Sequence, residues 1–403
     1  MRVLFVAASL PYPPLRGYQV RAAQQLRFLS RHHRVTLVCY ADADVSSSAR
    51  KRAADCCEEI VTVPYRLAGA ARALSIGLTT GLPVQTSFYE TRAMSNAIDR
   101  LLAEKRHDLV HALTVRVAGL LDGVKSVPRV IDFVDAISLN LRRRAEYDRT
   151  PLKFAARLEA NRLARYEREI CRTWDHATVV SQVDRAAIGD FPNLSVNTSG
   201  VDVDQFAYTR ENREPHTILF SGNLGYFPNV DAISWFARHV FPAILREEPN
   251  ARLRVVGARP GLRVRALAKL DPRIAVIGEV GSLSPYLQGC CLAIAPMRAG
   301  SGQLFKILEA MASGAPMVAT GLAAAATGAE SGRHLLIADN ADSFARSVLR
   351  LIREPDLAER IAAEARQLIE QRFRWEDSIA GLEQIYQSAT RARHRGEIQA
   401  AAV

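Results

Sequence analysis

The chain has 403 residues, 48% apolar and 24% charged, which excludes disordered and fibrous classes and is too long for one comfortable core, so two domains are expected. The formal net charge of +11 favours an anionic partner, whether nucleic acid, phosphorylated small molecule or acidic lipid surface, without choosing among them. Six cysteines are too sparse for a disulfide scaffold, and Cys56–Cys57 and Cys290–Cys291 lack metal-ligand spacing, so all six read as reduced thiols.

In chain order, "RVLFVAAS" reads as a first buried strand; a signal peptide would want a longer apolar run and more than one preceding cation. The periodic "YQVRAAQQLRFLSRH" is a helix and "RVTLVCY" a second strand. "DLVHALT", the helix "VRVAGLLDGV" and "RVIDFVD" continue the alternation. Continuous rather than alternating apolar strands mean burial on both faces, as in a parallel sheet. A long helix follows over "TPLKFAARLEANRLARYEREICRTWD", with Leu152, Ala155, Leu158, Leu163, Tyr166 and Ile170 at helical spacing, and "HATVVS" closes the first half. Residues 190–216 have the composition of a domain crossing. Alternation restarts at "TILFSG", and "DAISWFARHVFPAIL", "RLRVVG", "VRALAKL", "IAVIG", "CCLAIAP", "FKILEAMASG" and "PMVAT" keep its order before two closing helical segments. Two similar α/β units are therefore expected. No apolar run approaches the roughly 20 residues that span a bilayer, and the expected location is cytoplasmic unless the protein sits on a membrane surface.

The stretch "CCLAIAPMRAGSGQLFKILEAMASGAPMVAT" carries the chemistry. A strand ends at Pro296, and a turn holding Gly300, Ser301 and Gly302 runs into a helix. A helix start presents backbone N–H groups and a dipole that favour an anion, and glycines let a phosphate approach closely. Lys306 can reach the same anion, and Glu309 is suited to accept two hydrogen bonds from a diol such as a ribose. The alternative is a turn-relieving glycine pair and a surface Lys–Glu pair worth a few tenths of a kcal/mol.

The same stretch resembles the donor-binding segment of the retaining, nucleotide-sugar-dependent glycosyltransferases of family 4, whose fold is the α/β GT-B fold of two Rossmann-like domains facing each other across a cleft. "SGNLGYFPNVDAISWFARHVFP" and "VIDFVDAISLNLRRRAEY" extend the resemblance to the sugar transferases of PEP-CTERM and exopolysaccharide loci. The resemblance implies an N-terminal acceptor-side domain over 1–195, a nucleotide-sugar domain over 196–375, a helix over 376–390 returning toward the first domain and a frayed tail over 391–403. It implies a hexosyltransferase of class EC 2.4 that works with retention and without metal or cofactor. The donor is a UDP- or GDP-linked sugar and the acceptor a glycan or lipid-linked sugar.

By the resemblance, Glu309 binds the ribose and the loop Gly300–Ser301–Gly302 the diphosphate. Ser301 occupies the first position of the family's E-x7-E pair, so that pair is broken here. The cations that relatives carry after the first strand of the second domain are missing from "SGNLGYFPN", which leaves Lys306 and Arg298 as substitutes. Gly17 falls in the loop that lies against donor phosphate and acceptor, with Arg21 one turn further, meeting an anionic acceptor or facing solvent. His111 falls where relatives contact the donor sugar; a packed, hydrogen-bonded histidine is the alternative. Asp135 is favoured for the acceptor side, and Asp132 for bracing a loop. The catalytic set is then His111, Lys306 and Asp135.

The Arg-rich run 140–169 is suited to acidic headgroups on the inner face of the membrane, against a solvated helix with Arg–Glu pairs. Scattered arginines and the lack of a zinc-finger, RRM or KH signature argue against nucleic acid. The competing functions are a nucleotide-sugar epimerase on the same scaffold and a non-catalytic nucleotide-binding protein.

Overall fold

The computed structural model describes residues 1–401 apart from 42–45, 65–74, 78, 105 and 148–149, with side chains described through 393. The chain divides into two compact units, Met1–Thr198 with Ser378–Val403, and Ser199–Asp377.

Unit 1 is built on seven parallel strands, β1 (Arg2–Ala7), β2 (Arg34–Ala41), β3 (Glu59–Pro64), β4 (Leu109–Leu113), β5 (Arg129–Asp132), β6 (His176–Val179) and β7 (Leu194–Val196), in the order β3-β2-β1-β4-β5-β6-β7. Order reverses between β1 and β4, the switch point at which doubly wound sheets hold ligands outside their carboxyl ends. Leu4 and Val6 pack on one face and Val3, Phe5 and Ala7 on the other, which is why this strand reads as a continuous apolar run. Helices α1 (Gly17–Leu29), α2 (Ser47–Ala54), α3 (Arg92–Glu104), α4 (Ile137–Tyr147), α5 (Leu152–Thr173) and α6 (Gln182–Ile188) belong to this unit. "VRVAGLLDGV", expected as an α-helix, is a 3₁₀ helix over Val115–Leu121.

Unit 2 repeats the plan with six parallel strands, β8 (Glu214–Ser221), β9 (Arg252–Val256), β10 (Ile274–Gly278), β11 (Cys290–Ala295), β12 (Met317–Ala319) and β13 (Leu336–Ile337), in the order β10-β9-β8-β11-β12-β13. Its switch point lies between β8 and β11. Helix α7 (Phe227–Trp235) passes through a π turn at Phe236–Val240 into α8 (Phe241–Glu247). Pro242 supplies no N–H to the preceding turn, and the helix widens there instead of breaking. Helices α9 (Phe305–Ala312), α10 (Ala341–Arg353) and α11 (Pro355–Arg372) follow; Pro355 separates the last two, where the sequence pattern reads as one segment.

The last helix, α12 (Trp375–Ala401), places Ile379, Leu382, Tyr386 and Ala389 at helical spacing in the same cluster of unit 1 as Leu26, Leu29 and Leu37. Of the tail expected to fray over 391–403, the backbone is helical through Ala401, and the side chains from 394 and residues 402–403 lie outside the described residues.

Candidate functional site

Two loops meet at the switch point of unit 2. The first follows β8: Gly222 has φ +148°, and its carbonyl oxygen sits 1.7 Å from where a Cβ on Gly257 (φ +152°) would stand. Glycine at 257 is therefore what lets the ends of β8 and β9 touch. Asn223 Oδ1 accepts the Gly225 N–H at 3.0 Å, and Asn223 O accepts from Asn229 Nδ2 at 2.9 Å, which folds the loop onto the start of α7. The second loop follows β11 and carries Arg298, then Gly300 (φ +123°) and Gly302 (φ +72°), before α9 begins at Phe305. A Cβ on Gly300 would lie 3.8 Å from Pro228 Cβ, so the loops are neighbours.

Lys306 rises between them. It is 8% exposed, its Nζ donates to Asn229 Oδ1 at 2.8 Å and stands 4.1 Å from the centre of the Phe220 ring, and a Cβ on Gly222 would approach it to 3.0 Å. Burial pulls the ammonium down to about 7, opposed by Glu309, while burial pushes the partly exposed Glu309 carboxyl up to about 7, opposed by Lys306. Among the described residues Lys306 makes no salt bridge. A buried cation of this kind gains most from an incoming anion, because the anion restores the charge stabilisation that burial removed.

Arg298 reaches the same region with its charge already matched: Nε and Nη2 donate to the two carboxylate oxygens of Asp231 at 3.0 and 2.6 Å. Asn229 and Asp231, both buried on α7, hold the two cations, and sequence reasoning missed them. Their signal was an amide and a carboxylate within a helix that, apart from the small Ser234, is apolar. Ser301 lies between the two left-handed glycines and puts no carboxylate at that point of the loop.

Glu309 and Phe305 share the less buried face of α9, and Phe305 stacks on Trp375 with ring centres 6.2 Å apart. If Glu309 holds a sugar diol, Glu309→Gln lowers donor affinity by roughly 1–3 kcal/mol without lowering Tm. Calorimetry and thermal melts on the same samples check this; unchanged affinity with a lower Tm assigns Glu309 to structure.

In unit 1, Gly17 opens α1 at the surface, and Arg21 one turn on is fully buried. The expectation that Arg21 meets an acceptor or solvent fails, because its Nε donates to Asp132 Oδ2 at 2.6 Å and its Nη2 to Asn197 O at 3.0 Å. Asp132 also accepts from Gln25 Nε2 at 2.7 Å and from the Val134 N–H at 3.0 Å, the loop brace expected of it. Burial raises the Asp132 carboxyl, but Arg21, His111 and these hydrogen bonds outweigh it and hold the group below its usual range. Thr114 (φ +71°) and Val134 (φ +67°) follow β4 and β5 in a backbone region that costs β-branched residues dearly. Asp135 comes next, before the Ala136 N–H that Asp184 Oδ1 accepts at 3.1 Å. Glu167 satisfies the same helix start, accepting from Ser138 Oγ at 2.5 Å and from the Ser138 N–H at 3.1 Å, and burial pushes Glu167 up to about 7.

His111 requires a correction. It sits in the middle of β4 rather than beyond it, 0% exposed, stacked on Phe5 at 4.5 Å, with Nδ1 bonded to the Tyr386 hydroxyl at 2.9 Å. Such a side chain packs the core and presents nothing to a sugar. Burial holds it neutral by pulling its pKa to about 4, with Asp132 opposing. The unfolded chain binds this proton near pH 6.5 and the folded one only near 4, so stability is full above 6.5 and falls as pH drops through that window. The loss reaches about 3 kcal/mol. His111→Gln flattens the Tm profile between pH 6.5 and 4; an unchanged profile contradicts the assignment.

Among the described residues no cluster of three His, Cys, Asp or Glu is placed to hold a metal.

Residues 215–354, the segment of unit 2 that carries Gly222, Asn229, Arg298, Lys306 and Glu309, match the family described as glycosyl transferases group 1. The whole chain is similar in fold to sucrose-phosphate synthase from Thermosynechococcus elongatus, at 15% identity and a TM-score of 0.73 over 97% of this chain and 100% of that one. HepE of Anabaena, in complex with UDP and glucose, superposes with a TM-score of 0.68 at 16% identity over 96% of this chain and 100% of that one. A glycosyltransferase from Rickettsia africae gives 0.68 at 13% identity over 96% and 98%. The pair of Rossmann-like units is the GT-B fold. By sequence, the chain is 27% identical over 175 residues to an uncharacterised 44.6 kDa protein in the cps region of Klebsiella pneumoniae, covering 42% of this chain and 45% of that relative's length.

Proposed function

We propose that the protein is a glycosyltransferase that moves a sugar from a nucleoside diphosphate to an acceptor hydroxyl with retention of configuration. The observation that carries this reading is the buried, unbridged Lys306 beside the Gly300–Gly302 turn at the switch point of unit 2. HepE, whose fold this chain shares, binds UDP and glucose, which supports a UDP-linked donor, with a GDP-linked one to be tested beside it.

In this reading the loop Gly300, Ser301, Gly302 and the start of α9 cradle the diphosphate, Lys306 neutralises it, and Glu309 accepts from the ribose hydroxyls. The bond between the anomeric carbon and the diphosphate oxygen breaks, and the acceptor oxygen bonds that carbon. The leaving phosphate accepts the acceptor's proton. Negative charge grows on the diphosphate as the sugar becomes cation-like, so Lys306 binds the transition state more strongly than the ground state. Arg298, tied to Asp231, positions the loop, and Gly17 and Asp135 serve the acceptor side. The acceptor is a glycan or lipid-linked sugar of exopolysaccharide assembly at the cytoplasmic face of the membrane. The cps-region relative supports this setting, and the link to PEP-CTERM loci rests on sequence resemblance.

A melt screen of UDP-, GDP-, ADP- and TDP-sugars tests the donor. At 100-fold excess over Kd the right one stabilises by about 2.7 kcal/mol. Incubation of that labelled donor with and without a lipid-linked sugar then separates transfer from epimerisation of the free donor, and binding without turnover marks a non-catalytic protein.

A further inference from the structure

We propose that the outer face of α5 is a docking surface for an anionic phospholipid bilayer. The inference stands on unit 1 and does not depend on the activity proposed for unit 2. Helix α5 buries Ala160, Leu163, Glu167 and Ile170 on its inner side. The apolar spacing of the sequence extends that stripe to Leu152 and Leu158. The structure instead leaves Leu152 61%, Phe154 64% and Leu158 52% exposed, with Tyr147 at the end of α4 at 41%. Leu152, Phe154 and Leu158, gathered at one helix start and each more than half exposed, differ from the scattered apolar residues of an ordinary surface.

The outer face then changes character. Phe154, Leu158, Arg165 and Arg172 follow one line along the helix at intervals of four and seven residues, which keeps them within about 40° of one another. Arg162, Arg165, Arg168 and Arg172 line an open groove of ≈ 450 Å³ with Tyr166 and the loop Gly81–Pro83. Glu169 also lines it, 3.4 Å from Arg172, and Arg168 spends its Nε on Ile188 O at 2.9 Å. Arg162 and Arg165 stay beside the apolar tip. Lys153 stands 5.1 Å from the Phe154 ring, its stem covering apolar surface while its charge stays in water. Apolar anchors at one end and a row of cations behind them suit an interface with acyl chains below and phosphate headgroups above. A nucleic acid has use for the cations but none for the exposed Phe154 and Leu158.

The test is flotation of the full chain with pure phosphatidylcholine vesicles and with equimolar phosphatidylcholine–phosphatidylglycerol vesicles. Binding is expected only to the anionic vesicles, weakening as salt rises. Phe154→Ser with Leu158→Ser, and separately Arg162→Glu with Arg165→Glu, each lower partitioning by about 10-fold or more at unchanged Tm, since Phe154, Leu158 and Arg165 are exposed and Arg162 lines an open groove. No binding to anionic vesicles, or binding indifferent to both pairs, overturns the proposal. Two further outcomes also overturn it. One is a soluble dimer that dissociates in the Phe154/Leu158 variant without vesicle binding, which makes the partner a second copy. The other is an arginine-dependent affinity for inorganic pyrophosphate alone, which makes it a free phosphate.

Discussion

Lys306→Met is expected to lower kcat by about 10²-fold or more while changing donor affinity less. Methionine keeps much of the apolar stem and removes the charged Nζ, with its bonds to Asn229 Oδ1 and Met297 Sδ and its place over the Phe220 ring. Because the lost ammonium was buried and pulled down to about 7, the fold tolerates the change, and the effect falls on the step in which the diphosphate gains charge. Inhibition by free nucleoside diphosphate weakens in parallel. Full kcat with full product inhibition would falsify the role of Lys306 and shift the grip to Arg298 or the helix start alone.

The largest stability effect is expected at Asp132. Asp132→Ala leaves the guanidinium of Arg21 buried without its carboxylate, which costs roughly 3–5 kcal/mol. In a unit of this size that lowers Tm by on the order of 10 °C. Arg21→Met combined with Asp132→Leu recovers much of it, because an apolar pair of similar volume replaces an ion pair whose attraction largely offset its own desolvation. The native pair is also sensitive to acid. Asp132 is held below its usual range when folded, so its contribution is complete above the unfolded carboxylate value and disappears as pH falls through the folded one. A chemical-denaturation series on the three proteins decides the matter; Asp132→Ala with wild-type stability is the contradicting result.

Strands buried on both faces, such as β1, β2, β4 and β11, announce themselves as apolar runs, and most of the sheet was legible from them. Strand β3 was not, because only Val63 in "EIVTVP" is buried and the segment carries little contrast with its flanks. The Gly-rich turn and Lys306 were visible because a turn and the helix behind it are adjacent in sequence. Their partners were not: Asn229 lies 77 residues from Lys306 and Asp231 67 from Arg298, and no local pattern encodes such pairings. The same limit misread His111, whose role turns on whether β4 ends before or after it, and Arg21, whose destination depends on which face of α1 meets β5. On α5 the apolar period continued into Leu152 and Leu158, each more than half exposed, a fact of tertiary packing alone.

The grip proposed for unit 2 on a nucleoside diphosphate at its switch point is read out by amide hydrogen exchange with and without saturating nucleoside-diphosphate sugar. The predicted result is slowed exchange confined in unit 2 to Gly222–Asn229 and Arg298–Ile307, the two loops that meet at Lys306, and reduced protection there in Lys306→Met. Saturable binding with protection elsewhere in unit 2, or no binding of any nucleoside-diphosphate sugar, would contradict it.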